Sequence, residues 1–441
     1  MKRRLLFLAL VMVIAAGLSL AGCSRESSGG KAVVRVQLIG DFQMTDRTDP
    51  VSGETLKGLY VVEQEFERLH PDIDIVLLPM GWDDYQKKTQ AMIIANEADV
   101  YQVPGIAALS DQGLLENLES YIQRDKFDLG VYIDGQVDGW KTAGPNDQEN
   151  HIYGLPLMGD TRYIIYDKKI FDDWGVAYLS ATPTVEEVLE AARKMTGKNP
   201  KTGEQNYGVT IRGRDADDTL VNLNEYFGGS WGSGIRFPDM KVEFNSSTMV
   251  KAAGLLKQLL AYAPSGTMQD AGSEKFGQPD NNIAIHLRGN PSITMNIQAL
   301  GLDSRYTAAR LFVHPTLNKG NLFVGSPLAI GSSSTVKDAA WEWIKFTASD
   351  FFCEYWWENQ KYEGLPVTKH AFDLPGIKDN ANYTTVIETL AYLWTPRYLY
   401  RAAQPRTILT AAVQNIILNN ANIQDALNTA QRETEDWIKV Q

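Results

Sequence analysis

The chain has 441 residues, a net charge of −12 and a charged fraction of 22%. A chain of this length exceeds what one compact hydrophobic core usually holds, so we expect two lobes. Phosphate binding needs a concentrated basic surface, and an acidic chain of this kind lacks the charge for it. Nucleic acid is therefore excluded as a partner.

The first segment has the pattern of an export signal. A basic cluster, Lys2-Arg3-Arg4, precedes a short apolar run, and such a run is too short for a retained membrane span of about 20 residues. It ends in Leu20-Ala21-Gly22-Cys23, which resembles a bacterial lipobox, where the signal is cut before the cysteine and the cysteine receives a lipid. We expect residues 1–22 to be removed and residues 23–31 to form a lipidated, flexible tether. The lipid on Cys23 would hold the protein in the bilayer at the outer face of the cytoplasmic membrane, on the extracellular or periplasmic side.

Strand and helix patterns alternate through the first part of the folded chain. Residues 33–39, 73–78 and 99–103 have the composition of strands, and residues 59–69 and 83–95 have helical periodicity. Repeated β-α-β units of this kind predict a parallel sheet with helices on both faces.

The alternation continues through the middle of the chain. Residues 163–166 read as a strand, and Thr184 is placed to cap a helix over 185–195. Apolar residues at helical spacing predict further helices near 249–260 and 423–437. The fold class is α/β.

Two kinds of pattern that could indicate catalysis lack the context they need. Gly228-Gly229-Ser230-Trp231-Gly232 matches a hydrolase nucleophile motif, but the preceding residues read as a helix where the motif needs a strand. The acidic pairs Asp83-Asp84, Asp172-Asp173 and Asp217-Asp218 are neighbours in sequence, and neighbours do not face each other on a helix or a strand. We interpret them as acids at helix starts or in solvated turns.

No metal site or cofactor is predicted. The five histidines are scattered, and none has metal-ligand spacing with a cysteine or carboxylate. Once Cys23 carries lipid, Cys353 has no partner within the chain and is expected to pack as a small apolar side chain.

Short motifs along nearly the whole mature chain, taken together, resemble the carbohydrate-binding family 1 of extracellular solute-binding proteins from ABC importers. The clearest are Phe66-Glu67-Arg68-Leu69-His70-Pro71-Asp72-Ile73, Gly81-Trp82-Asp83-Asp84-Tyr85, Leu114-Leu115-Glu116-Asn117-Leu118, Ile152-Tyr153-Gly154-Leu155-Pro156, Gly325-Ser326-Pro327-Leu328-Ala329-Ile330 and Gly364-Leu365-Pro366-Val367.

The resemblance implies a two-lobed periplasmic-binding-protein fold, type II-like, with the ligand in a cleft between the lobes. We expect the chain to cross between lobes near Pro156, Leu302 and Asp350. The predicted first lobe comprises residues 32–157 and 302–350, and the second comprises residues 158–301 and 351–441.

Ligands of open α/β sheets sit beyond the carboxyl ends of strands, and sugars need aromatic platforms together with polar groups. The predicted ligand-binding residues are Asp41, Phe42, Trp82, Tyr101, Asp160, Arg162, Trp231, Asn296, Gln298, Gly325, Ser326 and Trp394. Two of them have an alternative structural role: Trp82 could hold its helix to the sheet, and Arg162 could only pair with Asp160.

These observations predict a monomeric binding subunit of an ABC importer, without enzymatic activity, that delivers an oligosaccharide or other sugar to permease subunits in the membrane. The arginines at positions 162, 212 and 214 suggest an acidic sugar. A secreted carbohydrate-active enzyme and a surface sugar sensor on the same fold are the alternatives.

Overall fold

A computed structural model describes residues 30–49, 52–83, 85–234, 239–316, 324–360, 362–380, 382–383, 385 and 403–440. The signal segment with Cys23, and the predicted platform Trp394, lie outside these residues. Within the part of the chain that is described, no helix has both the length and the apolar character that crossing a membrane requires.

Strands and helices alternate along the chain. The strands are β1 (Ala32–Ile39), β2 (Arg47–Thr48), β3 (Thr55–Leu56), β4 (Ile73–Met80), β5 (Val100–Gln102), β6 (Lys141–Thr142), β7 (His151–Ile152), β8 (Leu155–Asp160), β9 (Tyr163–Asp167), β10 (Gly197–Lys198), β11 (Gln205–Thr210), β12 (Gly232–Ser233), β13 (Lys241–Val242), β14 (Ile283–Gly289), β15 (Tyr306–Arg310) and β16 (Val324–Ile330). The helices are α1 (Tyr60–Leu69), α2 (Tyr85–Ile94), α3 (Ile106–Asp111), α4 (Glu119–Asp125), α5 (Lys168–Trp174), α6 (Val185–Lys194), α7 (Ala216–Tyr226), α8 (Ser247–Leu260), α9 (Pro291–Ala299), α10 (Lys337–Phe346), α11 (Asp350–Asn359), α12 (Ala403–Leu418) and α13 (Ile423–Ile438).

The first lobe is built on a sheet with the strand order β4-β1-β5-β16-β8. Strand β1 pairs in parallel with β4 from Ala32 opposite Ile73 to Ile39 opposite Met80. The apolar face of α1 packs Phe66 against Trp343 of α10, with ring centroids 5.2 Å apart and the rings edge to face. This arrangement places the periodic residues of α1 and α10 in the core, as their spacing predicts.

The second lobe is built on a sheet with the strand order β10-β11-β14-β9-β15. Its core includes the buried faces of α6, α7 and α8 and of the C-terminal helices α12 and α13. Thr184 caps α6 as predicted, since its hydroxyl accepts a hydrogen bond from the Glu187 N–H at 3.1 Å. The α/β fold with two lobes is confirmed.

Strands β9 and β16 run against their neighbours, so the sheets are mixed rather than parallel as predicted. Strand β16 is antiparallel to β5 and β8, and β9 is antiparallel to β14 and β15. Strands that belong to β-α units all run toward one edge of a sheet, because each helix returns the chain to the opposite edge. A segment that arrives from the other lobe enters at the facing edge and therefore runs the other way.

The three crossings lie later in the chain than expected near Pro156, Leu302 and Asp350. Strand β8 continues past Pro156 and pairs with β16 as far as Asp160. Strand β15 pairs with β9 in the second sheet, so the chain returns to the first lobe only after β15.

The last crossing moves because α11 belongs to the first lobe. Its residues Phe352 and Trp356 lie in the first core, and Trp356 packs edge to face on Phe42 with centroids 5.6 Å apart. Leu365 and Gly159 of β8 then exchange two backbone hydrogen bonds. The Leu365 N–H donates to the Gly159 carbonyl at 2.8 Å, and the Gly159 N–H donates to the Leu365 carbonyl at 2.9 Å. The predicted lobe boundaries at residues 157, 302 and 350 shift accordingly.

Each lobe is held at its far edge by a buried carboxylate. In the first lobe, Asp99 accepts hydrogen bonds from the backbone and guanidinium of Arg35 and from the Ser334 hydroxyl. In the second lobe, Asp167 is fully buried, caps α5, and accepts hydrogen bonds from Arg305 at 2.7 to 3.0 Å. A buried ion is tolerated when its lone pairs are satisfied in this way.

Removal of the Arg305 guanidinium should destabilise the second lobe. Replacing it in Arg305→Ala leaves the Asp167 carboxylate buried without its cation, which typically lowers the free energy of unfolding by about 3–5 kcal/mol. Urea denaturation of the wild type and the variant measures this loss. Arg193→Ala removes only an exposed pair with Glu190 and serves as the control, with an expected loss of about 0–1 kcal/mol. Equal losses in the two variants would contradict the assignment.

Candidate functional site

A cleft of about 640 Å³ lies between the facing edges of the two sheets. One wall comes from the first lobe and contains Asp41, Trp82, Asp83, Tyr85, Pro104, Met158, Ser326, Tyr362, Glu363 and Gly364. The other wall comes from the first crossing and the second lobe and contains Arg162, Arg212, Arg214, Asp218, Asn290, Pro291, Ser292 and Arg406.

The direction of each strand explains which residues reach the cleft. Asp41 and Trp82 follow the carboxyl ends of β1 and β4, and Arg212 follows that of β11. The reversed strands contribute from their beginnings, with Arg162 just before β9 and Ser326 near the start of β16. Both kinds of strand therefore deliver loop residues to the same edge, which is where open α/β sheets bind ligands.

An aromatic platform stands on the first wall. The Trp82 side chain is 39% exposed, and its ring packs edge to face on Tyr85 with centroids 5.3 Å apart. The Trp82 Nε1–H donates to Glu363 Oε2 at 3.3 Å, and the Asp41 backbone N–H donates to Glu363 Oε1 at 3.1 Å. The indole ring is thus held in place, and its exposed apolar surface is available to a ligand.

The pKa of Glu363 is shifted by its position in this wall. Burial raises the pKa of Glu363 above its ordinary value, against the opposing effect of the hydrogen bonds from Asp41 and Trp82. The Glu363 carboxylate is therefore fixed by two hydrogen bonds and partly removed from water.

The second wall is rich in guanidinium groups. Arg406, on α12, donates from Nε to Asp217 Oδ2 at 2.9 Å. Arg288, which lies beneath the wall and is fully buried, donates to Asp218 Oδ2 at 3.1 Å. Asp217 and Asp218 are thus buried at the start of α7, as helix-start acids, and hold two arginines.

Three other arginines complete that wall. Arg162 is 9% exposed and donates to the Thr161 carbonyl at 3.1 Å. Arg214 is exposed and approaches Asp270 only to 3.7 Å. Arg212 is half-buried, and no described carboxylate forms an ion pair with it.

Ser326 adds a hydroxyl group to the cleft. The residue is fully buried, and no atom of the described residues forms a hydrogen bond with its Oγ. Other buried polar side chains of the described residues also lack a partner, but Ser326 is the one of them that lines the cleft, where a ligand could accept its hydrogen bond.

The structure brings four of the predicted site residues together in the cleft: Asp41, Trp82, Arg162 and Ser326. Gly325 lies beside them in the backbone ladder, opposite Gly159, and Asp160 lies opposite Val324. The crossings between the lobes and the cleft edge therefore share these two strand ends.

The other described candidates lie elsewhere. Phe42, Tyr101 and Trp231 are packed in hydrophobic cores at 4%, 1% and 2% exposure, and the Tyr101 hydroxyl donates to the Ala98 carbonyl at 2.6 Å. Asn296 and Gln298 lie on α9, where the Gln298 side chain accepts a hydrogen bond from the Tyr383 hydroxyl at 2.6 Å.

Some cleft residues were not among the predicted ones: Tyr85, Met158, Asn290, Tyr362, Glu363 and Arg406. One of them carries a recognisable signal. Asn290 follows β14 directly and caps α9 by accepting from the Ile293 N–H at 2.9 Å, and a cap before Pro291 marks a strand-to-helix turn. Arg406 has no such signal, because its helix reaches the cleft only through tertiary packing.

The patterns considered for catalysis are used structurally. The Ser230 hydroxyl donates to the Gly232 carbonyl at 2.7 Å, and the element before it is the helix α7. Among the described residues, no cluster of three histidine, cysteine or acidic side chains could hold a metal ion.

The raised pKa of Glu363 makes a testable contribution to stability. Because the folded pKa lies above the ordinary value of 4.5, the protonated side chain favours folding, and that contribution is lost as pH rises through the folded pKa. Glu363→Gln should therefore gain stability relative to the wild type between pH 4 and pH 7. Denaturant unfolding at several pH values measures the difference.

Glu204→Gln, in an exposed turn of the second lobe, is the control and should follow the wild type at every pH. A constant difference between Glu363→Gln and the wild type across this range would contradict the prediction.

Comparison with known proteins agrees with this architecture. A binding protein of Brucella abortus (strain 2308) is 21% identical over 434 residues, covering 96% of this chain and 97% of that protein. The sugar-binding protein MalE from Xanthomonas citri is similar in structure, with a TM-score of 0.72 and 16% identity over 93% of this chain and 98% of that one.

An ABC substrate-binding protein from Listeria monocytogenes, in complex with cycloalternan, has a TM-score of 0.68 and 18% identity over 93% and 99% of the two chains. At these identities the likeness supports the two-lobed periplasmic-binding fold. The model of the bacterial extracellular solute-binding proteins matches residues 53–350, which is more than half of the sequence. The chain therefore belongs to the bacterial extracellular solute-binding protein family.

Proposed function

We propose that this protein captures a carbohydrate, an oligosaccharide rather than a monosaccharide, in the cleft between its lobes and delivers it to the permease of an ABC importer. One observation carries the proposal. Carboxylates of the first wall, Asp41 and Glu363, line the same cleft as the arginines of the second wall, and the Trp82 ring lies beside Glu363.

A sugar suits such a pair of walls because each hydroxyl is both a donor and an acceptor. One hydroxyl can donate to a carboxylate of the first wall while it accepts from a guanidinium of the second wall. The apolar C–H face of the sugar ring then lies on Trp82. The two similar structures described above, one of a sugar-binding protein and one in complex with cycloalternan, support the same ligand class.

Binding without chemical conversion is part of the proposal. Isothermal titration with a panel of oligosaccharides, on the chain lacking residues 1–23, tests capture. Chromatography of the recovered ligand then separates a binding protein from a carbohydrate-active enzyme, since only the binding protein returns its ligand unchanged. Tight binding of a peptide or a metal ion with no binding of any sugar would refute the proposal.

Loss of the Trp82 ring should weaken binding strongly. Trp82→Ala removes the platform, and an aromatic contact at the centre of a site is often worth about 2 kcal/mol, a loss of more than tenfold in affinity. Trp82→Phe should recover part of it. The control, Tyr178→Ala, removes another exposed aromatic ring, outside the cleft. Unchanged affinity in Trp82→Ala would show that the ring serves only its helix.

We further propose that Cys23 carries the lipid that keeps the binding protein at the membrane. Expression in a bacterial host with labelled palmitate should label the wild type, and Cys23→Ala should lose the label and leave the membrane fraction. Cys353→Ala is the matched control, since Cys353 is buried and should not affect labelling. Retention of label in Cys23→Ala would contradict lipidation at this residue.

A further inference from the structure

The two walls of the cleft carry charge of opposite sign. The first wall presents Asp41, Asp83 and Glu363, and the second presents Arg162, Arg212, Arg214 and Arg406. A neutral ligand could be held between them, so the sign of the ligand depends on which of these charges are already compensated within the protein.

The two acidic side chains at the second wall already form ion pairs within the protein. Asp217 accepts from Arg406 at 2.9 Å. Asp218 accepts from the buried Arg288 at 3.1 Å and lies 3.7 Å from Arg406. Two carboxylates therefore match two guanidinium groups, and this set contributes little net charge to the cleft.

Arg212 is different from these arginines. It follows β11, lies half-buried in the wall, and has no ion pair with any described carboxylate. Its neighbour Arg214 has only the long contact with Asp270 at 3.7 Å. A surplus of positive charge thus remains at the end of the second wall that the β11 loop forms.

The start of α9 contributes to the same wall. Asn290, Pro291 and Ser292 line the cleft, so the amino end of this helix, which carries a partial positive charge, is directed toward the ligand. The Asn290 side chain accepts from the Ile293 N–H, and its carbonyl accepts from the Thr294 N–H. Opposite it, the buried Ser326 hydroxyl has no hydrogen-bond partner among the described residues and is able to donate to an oxygen anion.

We infer that the ligand is an acidic sugar, with a uronic-acid carboxylate bound at the second wall by Arg212 and Arg214, and with its uncharged hydroxyls directed to the first wall. This inference rests on the proposed sugar-binding function. A guanidinium binds a planar carboxylate through two parallel hydrogen bonds. The acidic first wall repels an anion, so the bound sugar has one preferred direction.

The experiment compares matched pairs of sugars by isothermal titration on the chain lacking residues 1–23. The probes are digalacturonate, trigalacturonate and glucuronosyl-xylose, each beside its carboxyl-reduced counterpart, in which CH₂OH replaces the carboxylate. At least one acid should bind about tenfold or more tightly than its reduced counterpart, which corresponds to about 1.4 kcal/mol. Its affinity should fall between 50 and 500 mM salt, because screening weakens charge-assisted binding.

Variants locate the effect. Arg212→Gln should reduce the affinity for the acid by about tenfold and leave the affinity for the reduced sugar within twofold. Arg212→Lys should retain part of the affinity, since it keeps the charge but loses the paired hydrogen bonds. Arg432→Gln, an exposed position on α13, is the control, and thermal melting of each variant verifies that it is folded. If Arg212→Gln fails to fold, Arg214→Gln and the salt dependence make the same test.

Three outcomes would overturn the inference. If the reduced sugars bind as tightly as the acids, the ligand is a sugar but not an acidic one, which contradicts the inference and not the proposed function. Preferred binding of a sulfated or phosphorylated sugar, tested with galactose 6-sulfate and glucose 6-phosphate, would replace the carboxylate with another anion. Failure of every sugar in the panel would count against the proposed function itself.

Discussion

The cleft depends on two strands that enter their sheets from the opposite lobe. Strands β9 and β16 begin at the facing edges, so Arg162 and Ser326 sit where the chain passes between the lobes. Any rotation of one lobe relative to the other must pass through these segments. In the proposed complex, residues that contact the sugar also lie in the crossing segments, so ligand binding would be coupled to lobe movement through the backbone.

Buried polar groups differ between the far edges of the two sheets and the edges that face the cleft. At the far edges of the sheets, Asp99 and Asp167 have their lone pairs satisfied by Arg35 and Arg305. At the facing edges, the Ser326 hydroxyl is left without a hydrogen-bond partner among the described residues. The two far-edge carboxylates thus have their partners within the protein, and the Ser326 hydroxyl at the cleft can bond a ligand.

Element types and the strand-end residues Asp41, Trp82, Arg162 and Ser326 could be predicted from the sequence, since periodicity and strand polarity are local properties. The predicted aromatic residues show where local reasoning ends. Phe42 is adjacent to Asp41, yet it packs on Trp356, a residue distant in sequence, and this partner could not be inferred from strand patterns. Arg406 presents the reverse case, because a C-terminal helix brings it to the cleft with no local pattern to indicate it.

The two walls are prepared for a ligand to different degrees. On the first wall, Glu363 is fixed by Trp82 and by the Asp41 backbone before any ligand arrives, so little ordering is required when a sugar binds there, and affinity is gained by preorganisation. On the second wall, Arg212 has no such partner among the described residues. A ligand with an anionic group at this guanidinium gains a charge-assisted hydrogen bond, and a ligand without one does not gain it. Discrimination among sugars is therefore expected to reside mainly in the second wall, although the first wall provides the common platform for all of them.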